Sequence, residues 1–342
     1  MKHLWNCVCC GLLLLLVSCQ GTGSQGKGLI SSSGRSSEVL VVCSDAEWNG
    51  ALGDTLRAVL EAPVIGLPQM EPMFRVSRTT PDHFTAMYQK QRNILMFRQE
   101  PDAEKPRLVI EKNRWAKPQI CLTLYASCTD SLVAAFSTAR ARIAGYLMQG
   151  EMARFQRAQR AQQDPHLNTL LQKCCAISMV FPEGFYYAVR RPDFCWLRKE
   201  TKYWGQHVMI YTEPYVSESQ FSPEYIAALR NRHTKRYVHG GADSSRAQID
   251  DRFYPVNYLP CTFENSPYAM EARGLWGLFG HPGDLMGGPF VSYTLLDTVY
   301  NRVVTLDGFL YAPSDPKRDL LRQVEAVLHS MQVVDTLHVA KK

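Results

Sequence analysis

The sequence predicts an α+β protein of two mixed units, the second a largely antiparallel sheet packed by helices. Three observations carry this. Short runs rich in β-branched and aromatic residues recur along the chain, separated by Gly, Pro and Asp turns. Two stretches, near 130–161 and 317–331, instead space their apolar residues three and four apart. Asp164-Pro165 then interrupts the pattern: before it helices follow separated strands, and after it strands predominate. The reading is therefore one unit over 38–163 and a second over 164–334.

In the first unit Glu38 to Cys43 reads as a strand, and Ala46 to Leu60 as a helix through Trp48, Leu52, Leu56 and Leu60. Phe74 to Ser77 reads as a short strand. Thr80-Pro81-Asp82 opens a short helix through Phe84, Met87 and Tyr88, with proline at an early position. Asn93 to Arg98, Arg107 to Lys112 and Ile120 to Ala126 read as strands. Asp130 to Ala161 is a long helix whose stripe is Leu132, Phe136, Ala139, Ile143 and Leu147. In the second unit the expected strands are Ala176 to Phe181, Phe185 to Arg190, Phe194 to Lys199 and His207 to Glu213. Ser222-Pro223 opens a helix toward Arg236, with serine as N-cap and proline at the first position. Strands are expected near Phe253 to Tyr258, Tyr268 to Phe279, Val291 to Leu296 and Arg302 to Tyr311. A closing helix carries Leu320, Leu321, Val324, Val327, Leu328 and Met331 on one face.

The first 18 residues read as an export signal: Lys2 gives positive charge and Val8 to Val17 an apolar run. That run is about half the ~20 residues a spanning helix needs. Leu16-Val17-Ser18-Cys19 fits cleavage before a lipid-bearing Cys19. Residues 19–37 are then the lipidated cysteine and a flexible Gly/Ser-rich tether, and 335–342 a tail. Gln20 is not an aspartate of the kind that retains some lipoproteins at the inner membrane. The expected placement is thus the outer membrane, facing the periplasm.

The 46% apolar fraction supports a real core, and a net charge of +6 over 342 residues does not demand nucleic acid. Seven cysteines follow Cys19, namely Cys43, Cys121, Cys128, Cys174, Cys175, Cys195 and Cys261. They form no C-x-x-C, so neither zinc nor thioredoxin-like chemistry is indicated. The expectation is mostly buried thiols with room for one bridge.

Several motifs tempt. Gly21-Thr-Gly23-Ser-Gln-Gly26 has the letters of a dinucleotide fingerprint, but it lies in the tether and not between a strand and a helix. No nucleotide or other cofactor is expected. His281 and Asp284 sit three apart in a Gly-rich loop, and Asp250-Asp251 is an acidic pair; either offers acid–base groups, and each also reads as a turn or solvated loop. Neither H-E-x-x-H nor G-x-S-x-G occurs. Arg140, Arg142, Arg154, Arg157 and Arg160 make the long helix basic, most simply as a solvated face. Trp196, Trp204 and Trp276 are the residues that would stack on sugars; the competing reading is core tryptophan. Asp335-Thr336-Leu337 makes Thr336 a candidate O-glycosylation site.

Three further stretches, Ala62 to Gln69 with Glu71-Pro72, Gly274-Leu275-Trp276 with Met286 to Tyr293, and Asp307 to Pro313 running to Ala326, resemble an uncharacterised domain-of-unknown-function family of envelope lipoproteins from Gram-negative gut-type bacteria. The resemblance implies the anchor at Cys19 and brings no substrate, cofactor or catalytic residue. Physically, Pro63, Gly66 and Pro68 read as a turn. Gly308 reads as a bend or a close backbone approach, and Lys317, Arg318 and Arg322 as one helix side pairing with Asp319 or Glu325. The expected function is a non-enzymatic envelope lipoprotein. Its partners are the membrane, through its anchor, and an envelope protein or glycan. The competing reading is an envelope hydrolase or transferase using His281/Asp284 or Asp250/Asp251.

Overall fold

The computed structural model describes residues 28–264 and 266–334; Cys19, most of the tether and Thr336 lie outside them. The first half carries β1 (Ile30–Ser31), β2 (Glu38–Val42), α1 (Asp45–Asn49), α2 (Ala51–Leu60), β3 (Arg75–Thr79), β4 (Asn93–Gln99), β5 (Arg107–Lys112), β6 (Ala116–Lys117), β7 (Ile120–Ala126) and α3 (Thr129–Ala161). Five of the strands form a sheet in the order β3-β2-β4-β7-β5, parallel except for β5. Strands buried on both faces read as continuous apolar runs, and β2, β4 and β7 do. Val39, Val41, Leu95, Phe97, Leu122 and Leu124 face Leu52, Leu56, Leu132, Phe136, Ile143 and Leu147 of α2 and α3. On the other side Leu40, Val42, Ile94, Met96 and Cys121 meet Phe84, Tyr88 and Trp115.

Two expectations here are corrected. The helix expected over 46–60 breaks at Gly50, which leaves helical geometry (φ −107°, ψ −165°) and ends a short α1 that a Ser44–Glu47 capping box opens. The helix expected from Pro81 resolves into two short 3₁₀ turns, Pro81–His83 and Tyr88–Lys90, because the backbone leaves helical geometry at Phe84 (φ −77°, ψ 74°).

The second half carries α4 (Pro165–Cys175), β8 (Ile177–Ser178), β9 (Tyr186–Arg191), β10 (Phe194–Glu200), β11 (Gly205–Pro214), α5 (Pro223–Tyr237), β12 (Arg246–Ile249), β13 (Asn257–Phe263), β14 (Ser266–Phe279), β15 (Gly287–Asp297), β16 (Arg302–Tyr311), α6 (Arg318–Leu328) and β17 (Gln332–Val333). An eight-stranded antiparallel sheet runs β12-β14-β15-β16-β11-β10-β9, with β13 also on β14. One face packs on α4 and α6 through Leu197, Val208, Ile210, Val304 and Leu306 against Leu171, Leu321, Val324 and Leu328. The other packs on α5 through Trp196, Met209, Tyr211, Phe290 and Phe309 against Ile226 and Leu229. This is the α+β architecture expected. Ser222 caps α5 by accepting from Tyr225 N, with Pro223 in the first turn.

Helix α4 is an addition to the elements that the sequence predicts. Asp164 is its N-cap, accepting from His166 N, and Pro165 opens it, so the dipeptide that reads as a breaker is a helix start. The apolar run 176–181 pairs only through Ile177–Ser178; Met179 and Phe181 are apolar because they are buried under α4 and α6. The strand expected from Phe253 begins at Asn257, and β12 is an additional strand.

The strings that carry the family resemblance meet in space. The Glu71 carboxylate accepts from the backbone N–H of Lys317 (2.6 Å) and Arg318 (3.0 Å), capping the start of α6 with a negative charge. Arg318 donates to Pro72 O and Arg322 to Met73 O, while Ser37 bonds both Asp319 and Arg322. Glu325 pairs with Arg273, not with its helix neighbour Arg322. Gly308 serves close approach: a Cβ there would lie 2.4 Å from Val324 Cγ1, so α6 settles onto β16 only over a glycine. These strings join the two halves.

Candidate binding cleft

The antiparallel register sets a row of side chains on the α5 side of the sheet, beyond the end of that helix. Arg198 of β10 faces His207 of β11, which faces Phe309 of β16. Alternation puts Trp196 and Glu200 on the same side as Arg198. His207 stacks on Phe309 at 4.5 Å and 9°, with Trp196 at 5.9 Å from His207. Trp276 from β14 meets Phe309 edge-on at 5.3 Å, and its Nε1 donates to Leu310 O.

The β10–β11 turn forms the rim. Thr201 Oγ1 accepts from the N–H of Tyr203 and of Trp204 and donates to Trp204 O, and Thr201 N donates to the same carbonyl. This local bonding, typical of serine and threonine turns, fixes a loop that presents Tyr203, 64% exposed, and half-buried Trp204. Lys202, His239 and Met286 complete the edge. The cleft has a volume of about 390 Å³, within the usual range of small-ligand sites.

All three tryptophans named from sequence line this one cleft. Trp196 and Trp276 are also core residues, 7% and 4% exposed, and form its floor; Trp204 forms a wall. Three buried polar atoms at this place lack a partner: Trp196 Nε1, Arg198 Nε and His207 Nδ1. Unpaired buried polar groups are uncommon and costly, roughly 1–3 kcal/mol each, so three in one cluster mark the region. Burial holds His207 well down, to about 3, with Arg198 adding to the effect, so its ring is neutral. Arg198 pairs with Glu200 and lies 5.3 Å from the Trp196 ring centre.

The His and Asp candidates go elsewhere. Asp284 accepts from Ser245 Oγ (2.5 Å) and His281 N (2.9 Å), and the His281 ring accepts from Gly283 N. These contacts build the β14–β15 turn and do not join imidazole to carboxylate. Asp250 is clamped by Arg252 at 2.8 Å, which holds its carboxyl below the ordinary range. Asp251 lines a separate groove beside Asn231 and Tyr258. None of the four lines the aromatic cleft. Of the basic residues on α3, Arg140, Arg142, Arg157 and Arg160 are exposed and Arg154 is bound to Glu151.

All seven described cysteines are free thiols. Sequence spacing missed one juxtaposition: Cys174, Cys175 and Cys195 place their Sγ atoms within 4.8 Å of one another. No helix among the described residues is long and apolar enough to cross a membrane.

Residues 164–330 match a domain of unknown function (DUF4837), and residues 32–160 match a second domain of unknown function (DUF8532). No curated protein matches the chain. Among solved structures, a point mutant of the protein Mog1 is 12% identical with a TM-score of 0.30, covering 48% of this chain and 93% of that one. The Saccharomyces cerevisiae Ran-binding protein Mog1p is 12% identical with a TM-score of 0.29, covering 47% and 92%. Neither likeness is close enough to carry an argument.

Proposed function

As a member of uncharacterised domain-of-unknown-function families in both of its halves, the chain inherits no assigned activity, and we propose that it is a non-enzymatic envelope lipoprotein that holds a glycan in the aromatic cleft. The observation that carries this reading is the convergence of Trp196, Trp204 and Trp276 with Tyr203 around one opening. A sugar ring has an apolar face and a hydroxylated edge. Aromatic faces satisfy the first, and Arg198, Glu200, Lys202 and His239 stand where they would meet the second. His281 and Asp284 are held in the β14–β15 turn without bonding each other, and Asp250 is paired with Arg252, which favours binding over the hydrolase or transferase reading.

Titrating envelope-type oligosaccharides against intrinsic tryptophan fluorescence tests the cleft. Binding should shift the emission, and Trp204→Ala should weaken it about tenfold, equivalent to ~1.4 kcal/mol, while leaving the fold intact because Trp204 stands in a rim turn. A panel of glycans that leaves the emission unchanged would count against the reading, as would full-strength binding by Trp204→Ala.

Anchoring rests on Cys19 and its flanking signal. Cells fed a radiolabelled fatty acid should label the wild-type chain and not Cys19→Ala, and the variant should leave the membrane fraction, since stable anchoring takes two or more acyl chains. Equal labelling of both proteins would refute the anchor.

A further inference from the structure

We propose that Cys174, Cys175 and Cys195 form a three-thiolate site for a soft monovalent metal ion of the copper(I) type. Cys174 and Cys175 end α4, and Cys195 projects from β10 onto the same face of the large sheet. The Cys195 sulfur lies 3.5 Å from that of Cys174 and 3.6 Å from that of Cys175. An ion about 2.3 Å from three sulfurs at trigonal corners requires them about 4.0 Å apart. The Cys195 sulfur is therefore within about half an ångström of coordinating distance from both neighbours, and all three sulfurs lie within 4.8 Å of one another.

The chemistry selects the ion. Thiolates prefer soft metals, copper(I) among them. A structural zinc site takes four ligands, and among the described residues no His, Asp, Glu or further Cys joins these three. A disulfide would need two sulfurs to close to about 2.04 Å and would strand the third; here Cys195 is almost equidistant from both neighbours. Binding exchanges protons for metal: one copper(I) replaces up to three thiol protons, which leave to solvent, with no change of oxidation state. Cys175 and Cys195 are buried, whereas Cys174 is half-buried and gives the ion an entry path; its thiol donates to Arg191 O at 2.7 Å.

The test uses the full chain, fully reduced and anaerobic, titrated with copper(I) against a competing chromogenic chelator, with X-ray absorption on the loaded protein. The expected result is one tightly held ion per chain in a three-sulfur shell. Cys195→Ser should weaken uptake about 100-fold. Because Cys195 is buried, Cys174→Ser is the parallel variant least able to disturb the fold, and it should weaken uptake at least about tenfold. Cys121→Ser, in the other sheet, should bind as wild type. The proposal is overturned if the reduced protein takes up no copper(I) against the chelator. It is equally overturned if both Cys195→Ser and Cys174→Ser bind as wild type, or if the absorption spectrum shows nitrogen or oxygen ligands in place of the three sulfurs.

Discussion

Asp307→Ala should lower the stability of the protein by about 3–5 kcal/mol, the usual cost of removing one partner from a buried ion pair. Asp307 projects from β16 toward α5, and Arg230 reaches it with Nε at 2.6 Å and Nη2 at 3.3 Å. Their side chains are 0% and 1% exposed. The guanidinium also lies 3.8 Å from the centre of the Phe290 ring, and its Nη1 has no partner. Burial lifts the Asp307 carboxyl above its ordinary value while Arg230 opposes that rise. Without the carboxylate, Arg230 is a lone buried charge between an aromatic ring and a sheet, and nothing replaces the lost bonds. Global stabilities are commonly about 5–15 kcal/mol, so this single change would consume a large share. Substituting both partners by apolar residues, Arg230→Met with Asp307→Leu, should cost much less than Asp307→Ala, because it removes the desolvation penalty along with the attraction. Urea unfolding followed by tryptophan fluorescence measures all three. A loss below about 1 kcal/mol for Asp307→Ala would mean that water reaches the guanidinium and that the pair is not sealed.

Much of this arrangement is legible in local sequence, and the reason it is partial is physical. Long elements announce themselves through repetition. The stripe Leu132, Phe136, Ile143 and Leu147 is buried on α3 as its spacing implies, and the apolar runs of β15 and β16, buried on both faces, mark their strands. Short or capped segments do not. Asp164-Pro165 has the same letters whether it breaks a helix or begins one, and the difference lies in whether Leu167 and Leu171 find the sheet. The candidate cleft shows the limit most clearly. Residue type singles out Trp196, Trp204 and Trp276, but their meeting depends on β10 pairing with β11, β11 with β16, and β14 lying two strands further along. None of those pairings is written within a local window. The thiol cluster is less visible still, because Cys195 reaches Cys174 and Cys175 only after the chain passes through β9 and turns back. His281 and Asp284 show the opposite failure: close spacing suggests chemistry, and backbone hydrogen bonds absorb both groups.

Stability should fall as pH drops from 6.5 toward 5, before carboxylates begin to titrate. The cause is histidines buried neutral. Burial holds His207 down to about 3 between Trp196 and Phe309, from an ordinary value of 6.5. His233 is held down to about 4, chiefly by burial and then by Arg232, where it stacks on Phe194 and Tyr211. Burial also lowers His329, packed on Phe263. The sign follows from proton counting. Below 6.5 the unfolded chain binds a proton at each of these residues and the folded chain does not, so acid favours unfolding. Stability is complete above 6.5 and is lost as pH falls, until the folded protein also takes up the proton. Within that interval each histidine that stays fully neutral costs about 1.4 kcal/mol per pH unit. For His207 alone this amounts to about 2 kcal/mol between pH 6.5 and 5. His233 contributes less because part of its ring meets solvent. The carboxyls held low by arginine, such as Asp319 and Glu271, lose their stabilising charge only as pH falls below about 4.5, so the two sources separate on the pH axis. Denaturant midpoints at pH 7.5, 6.5, 5.5 and 5.0 should decline only across the last three. His207→Phe keeps a flat ring against Phe309 and removes the titrating group, so its profile should be shallower by about 1.4 kcal/mol per pH unit. A wild-type profile flat from pH 7 to 5 would contradict the neutral-histidine account, and an unchanged slope in His207→Phe would remove His207 from it.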